Sequence, residues 1–161
     1  MLRRWLAGWQ RAATRRAAGD MQAWLTSVHT IVETCASSLC EEPAQVEIGI
    51  TLDRVDRELM RFRNHAAYVR GPLKQHSPSL ADRVARATDQ VYSLRNHTCA
   101  YLLRWQAWNQ TDPAAAHALS VHSAMEEARF RATNAIRDLQ NDLQRLSVDL
   151  DDLISAWIGE G

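Results

Sequence analysis

The tripeptide Arg-Asn-His occurs twice, at Arg63–His65 in RNHAAY and at Arg95–His97 in RNHTCAY. A guanidinium that holds an anion beside an imidazole that moves a proton is the minimum of an acid–base site, and two copies invite a joint one. Their positions argue against it. In an antiparallel hairpin turning over residues 71–79, His65 lies six residues before Gly71 and His97 eighteen after Ser79. That offset of about 12 residues, at ~1.5 Å rise each, separates the two imidazoles by ~18 Å. Chance recurrence in an arginine-rich chain is the simpler reading.

Metal chemistry meets a similar test. No acid precedes any histidine by three residues, so the Glu-x-x-His signature of di-iron bundles is missing. His29, His97 and His122 fall about 10 to 12 residues from one end of the expected bundle, with Glu33 one turn from His29. They are the candidate zinc or haem ligands. Satisfied or exposed histidines are the plainer alternative, and no cofactor is expected. Cys35, Cys40 and Cys99 are odd in number and lack Cys-x-x-Cys spacing. They read as packing thiols in a reducing cytoplasm rather than a disulfide framework.

The first Arg-Asn copy resembles the Arg-Asn-x-x-x-His motif of HEPN-type ribonucleases, small helical proteins that often dimerise to assemble their site. Its sixth position is Tyr68 rather than histidine, while Arg70 and His76 fit that family's looser Arg-x(4–6)-His spacing with Gly71 in place of the usual polar residue. The resemblance implies RNA cleavage carried by Arg63, Asn64 and His76. Leu52-Asp53, Arg63 and Lys74 are similar in spacing to the dicarboxylate-gripping residues of the all-helical chorismate mutases. Here Pro72 interrupts that stretch, and Asp56 and Arg57 stand where that family is apolar.

Arginine clusters raise a further option. Arg54, Arg57 and Arg61 share one helix face, and Arg83 and Arg86 open the next helix, an arrangement able to contact phosphates. Asp53, Asp56, Glu58 and Asp82 are interleaved with them, so local ion pairs at helical spacing are the expected use and nucleic acid the alternative partner.

Helices must position all of these groups. Apolar residues recur at steps of three and four from Leu2 through Trp24 to Leu39, with room for a kink at Gly19. The same spacing runs from Leu52 to Val69, from Leu80 to Trp108, and from Ala132 through Leu146 to Trp157. Val46, Ile48 and Ile50 alternate with polar residues like a strand, yet an early helical turn is favoured there. GPLKQHSPS reads as a loop, and Asp112-Pro113 as the start of the last helix. The expected architecture is an all-α, antiparallel up-down-up-down four-helix bundle forming one domain over residues 1–161. Its helices cover about 2–39, 44–70, 79–109 and 113–158, and the first and last are longest.

The chain has 161 residues, 46% of them hydrophobic and 24% charged, enough for one core and without the ~18-residue apolar run of a membrane span. Arginine fills eighteen of the nineteen basic positions, as a GC-rich bacterial coding bias would produce. The zero net charge conceals blocks: residues 1–19 and 51–111 are each +5, residues 20–50 and 112–161 each −5. If the outer helices project together, the arginines of MLRRWLAGWQRAATRR meet the acidic tail, and Trp5 and Trp9 meet Leu150, Leu153 and Trp157. Burial of the tryptophans would hold that pair and the charges would orient it. The same basic start, residues 1–18, could instead lie on an anionic membrane surface, making the chain membrane-peripheral. A leader peptide is the third reading, and the apolar face continuing in phase to Leu39 is unnecessary for it.

Two helices carry a second apolar face. Tyr92, Cys99 and Leu103 lie opposite the core seam of the third, and Leu119, Phe130 and Val148 opposite that of the fourth. Such a surplus on two helices points to burial by another chain, most economically a second copy. The expected function is non-catalytic: a helical-bundle interaction or assembly protein acting through protein–protein contacts. A small nuclease or nucleic-acid binder and a peripheral membrane protein are the alternatives.

Overall fold

In a computed structural model of the chain the backbone is described for residues 2–40 and 45–159, and side chains for residues 11–39, 48–157 and 159. Helical periodicity becomes four helices: α1 (Leu2–Cys40), α2 (Gln45–His76), α3 (Pro78–Asn109) and α4 (Ala118–Gly159). No strand occurs among the described residues, and the packing is that of an all-α four-helix bundle. No helix is long and apolar enough to cross a membrane. One contiguous core draws on every helix, from Met21, Trp24 and Val28 through Phe62 and Leu94 to Leu143 and Leu150.

The four corners are not equivalent. α1 and α3 touch across the bundle as well as packing on both other helices, whereas α2 and α4 make no backbone contact with each other among the described residues. α1 and α3 therefore form the short diagonal, and α2 and α4 stand at the far corners with two backbone neighbours each. A helix with three neighbours has little face left for solvent.

Pattern and structure agree where a seam is long. α1 runs through Gly19 unbroken, and α2 is helical from Gln45, with Ile48 buried and Ile50 exposed as a 3.6-residue period requires. The early helical turn favoured for this stretch is what forms, and its strand-like alternation is overridden.

Two boundaries differ from expectation. GPLKQHSPS is not a loop: α2 continues past Gly71 and Pro72 to His76, and only Ser77, in an extended conformation, separates it from α3. A proline in a helix loses the bond to the carbonyl four residues back, here that of Tyr68, and its ring crowds the residue before it. Tyr68 is an exposed position where water can serve that carbonyl, and Gly71 has no Cβ to crowd. Carrying the helix on buries Leu73 completely, and the Ser77 amide donates to the Leu73 carbonyl at 2.7 Å. At the other boundary, Asp112-Pro113 does not start α4. The Asp112 carboxylate instead accepts from the Ala114 amide at 2.9 Å, a turn that holds the chain off helix until Ala118.

The longer α2 reduces the projection of the outer helices. α1 and α4 have 39 and 42 residues against 32 each for α2 and α3. The excess of seven to ten residues is ~10–15 Å at 1.5 Å per residue.

Candidate interaction surface

Local helix geometry separates most of the groups that could have done chemistry. With only Ser77 between α2 and α3, His65 lies 12 residues before the turn and His97 20 after it. That offset of about 8 residues still holds them ~12 Å apart along the bundle. His65 is half-buried on α2, and His97 lines a groove between α3 and α4. Arg63 and Asn64 are exposed on α2, more than three turns from His76. His76 instead packs its ring against Trp157 at 4.9 Å, so the three candidate catalytic residues form no site. The candidate metal ligands are equally scattered. His29 is exposed on α1 and His122 packs on Trp108 at 4.8 Å. No group of three potential ligands forms among the described residues.

Cys35 is fully buried, and burial pushes its thiol up, with the neighbouring Thr98 hydroxyl partly opposing the shift. A neutral, enclosed thiol is a packing group. Cys99 is half-buried and also unbridged.

The expected helix 1–helix 4 contact falls partly outside the described residues. Leu150 is buried, Leu153 and Trp157 border the core, and α1 does pack on α4. The side chains of Trp5 and Trp9 lie outside the described residues. Arg11, Arg15 and Arg16 are exposed, and no ion pair joins α1 to α4 among the described residues. The acids of α4 turn to α3 instead. Arg83 pairs with Asp149, and Gln90 donates to Asp142 at 2.8 Å. The antiparallel α3/α4 seam brings these groups opposite one another, while α2 lies across the α1–α3 diagonal and makes no backbone contact with α4 among the described residues.

Around those bonds the seam opens into a groove of about 620 Å³, lined by Arg83, Arg86, Gln90, Asp142 and Arg145 among others. Arg86 and Arg145 have no ion-pair partner among the described residues, and the Gln90 Oε1 is buried without a hydrogen bond. Asp89 and Asp142 stand beside the arginines, so the groove has mixed rather than basic character. Further along the seam, Arg131 pairs with Glu127 in the same alternating fashion.

Exposed apolar surface is distributed differently from the expectation. Leu103, Leu119, Phe130 and Val148 are exposed as expected. Tyr92 and Cys99 are not: Tyr92 packs edge-on against Phe62 of α2 at 6.1 Å, because α3 sits on the short diagonal and its flank is covered. The residues that sequence spacing did not single out are on α2, where Ile50, Met60 and Tyr68 are 54%, 71% and 66% exposed. All three fall between the seam positions of α2. Their apolar character outside the 3–4 pattern was a readable signal. Six of the seven exposed large hydrophobic residues among those described thus lie on α2 and α4, the two far corners.

Two of the acids of α2 are engaged by arginines. Asp56 accepts two bonds from Arg95 of α3 at 2.9 and 3.0 Å, and Glu58 is held by Arg61. Arg54, Arg63 and Arg70 remain exposed on the same helix. Comparison with known proteins finds no matching family model, no matching curated protein and no matching solved structure.

Proposed function

We propose that this chain is a non-catalytic helical-bundle assembly protein that acts through protein–protein contacts and associates with itself. One observation carries the reading: the exposed large apolar side chains are concentrated on the two corner helices, while the core beneath them is filled without them. Isolated exposed hydrophobics need no account, but their confinement to two helices supports burial by a partner. Odd cysteines without a metal-binding spacing fit a cytoplasmic setting. The fully buried Cys35 thiol suits a packing role there.

Light scattering behind a sizing column, run from dilute to concentrated protein, tests the reading. The weight-average mass should rise above that of the 18.3 kDa chain as concentration increases. A constant monomer mass over the whole range overturns it.

A further inference from the structure

We infer that copies of this chain associate head to tail, the outer face of α2 on one copy meeting the outer face of α4 on the next. The inference rests on the self-association proposed above and adds which surfaces meet and in what register.

Heights along the bundle supply the first argument. α2 and α4 run in the same direction, and the His76–Trp157 ring contact sets positions 81 residues apart at one height. Bonds through α3 lead to the same offset. Asp56 is bound to Arg95, and Arg95 is five residues past Gln90, whose partner is Asp142. α4 runs opposite to α3, so position 137 is at the height of Arg95 and again 81 residues beyond Asp56. Within one residue of that offset, Ile50 is level with Phe130, and Tyr68 is level with Val148. All four are more than half exposed.

Each pair is also matched along its own helix. Ile50 to Tyr68 and Phe130 to Val148 are both 18 residues, five full turns, so each pair lies on one stripe about 27 Å long. A second copy moved sideways along the long diagonal, without rotation, therefore sets Ile50 beside Phe130 and Tyr68 beside Val148. Between these contacts the register pairs Arg54 with Asn134, Arg61 with Asn141 and Asn64 with Gln144. It also sets Arg57 level with Arg137, an unfavourable match between two arginines that each donate within their own helix. Met60 stands about a quarter turn off the stripe.

Charge points the same way. α2 holds six cations against four acids, and Asp56 and Glu58 are already bound by Arg95 and Arg61. α4 holds seven acids against four arginines, with Asp149 and Glu127 already bound by Arg83 and Arg131, so its remaining charges are still acidic in balance. Opposite signs favour unlike faces over like ones.

Symmetry then fixes the type of assembly. A two-fold dimer uses the same face of both partners, and the outer faces of α2 and α4 belong to opposite corners. The contact is heterologous, and a shift without rotation cannot close on itself, so it propagates as an open filament. A single helix-to-helix contact of this length lies below the size of stable interfaces and associates weakly.

Two single-face variants test the inference in the full chain. Tyr68→Glu blocks the α2 face and Phe130→Arg the α4 face, both at exposed positions, with circular dichroism melts confirming the fold of each. Each variant alone should be monomeric by light scattering at concentrations where the parent chain associates. Mixed in equal amounts they should form a dimer that grows no further, because one intact α2 face and one intact α4 face remain. If the parent associates but either variant alone still does, or the mixture stays monomeric, the head-to-tail arrangement is wrong while self-association stands. A parent that never associates overturns both.

Discussion

At the scale of the residue, placement in the core decides what a reactive group can do. Cys35 has the same thiol as a nucleophile, but a thiolate there would have to form without water, and burial holds the proton on. The folded chain therefore binds that proton more tightly than the unfolded chain does. This contribution to stability is complete below the thiol's ordinary value of 9.0 and is lost as pH rises through that value toward the higher folded one. Urea denaturation should show stability declining from pH 9 to pH 10.5 in the parent chain, and less steeply in Cys35→Ala. Equal slopes in the two proteins would mean that the thiol does not titrate across this range on unfolding. The sequence signal for this residue was its place on a seam, between Val32 and Leu39, and that much was legible.

Elements show where local rules yield to tertiary packing. Gly71-Pro72 is a strong stop signal on its own, and it is overruled because one more turn buries Leu73. The proline still costs the helix a hydrogen bond. Pro72→Ala should restore an amide to the Tyr68 carbonyl and stabilise the protein by about 1–2 kcal/mol in chemical denaturation. That is less than the ~3 kcal/mol of a mid-helix proline, since the site is near a helix end and alanine loosens the unfolded chain. A loss of stability would show that the proline is required by the turn into α3. Asp112-Pro113 failed as a helix start for the complementary reason. Residues 113–117 have no apolar face to bury, so a side-chain turn wins.

For the whole molecule, the unequal diagonals govern which side chains carry stability and which are left exposed. Trp24 of α1 is completely buried, 5.9 Å from Phe62 of α2, with its indole N–H unpaired. Trp24→Ala should cost about 3–5 kcal/mol by thermal or urea denaturation. Trp24→Phe should cost much less, since it removes an unsatisfied donor worth about 1–3 kcal/mol along with the lost area. Met60→Ala, at a far corner, should stay within about 0.5 kcal/mol of the parent. A costly Met60→Ala would mean that the outer face of α2 is covered within the chain. Exposed ion pairs such as Arg131–Glu127 add little to this balance.

By itself the sequence determined the helical class, the four seams and most of the core, though not the fully buried Ile31, Leu73 and Leu102, because a 3.6-residue apolar period is a local property that burial rewards wherever the helix goes. It also suggested that apolar residues off the seams await another chain. What only the tertiary structure decided is which helices those are. Tyr92 and Cys99 were covered and Ile50, Met60 and Tyr68 were not, since the number of neighbours a helix has depends on which diagonal of the bundle is short. The levelling of Ile50 with Phe130 and of Tyr68 with Val148 is likewise a tertiary fact. It follows from the register of three helices against one another, and no spacing within a single helix contains it.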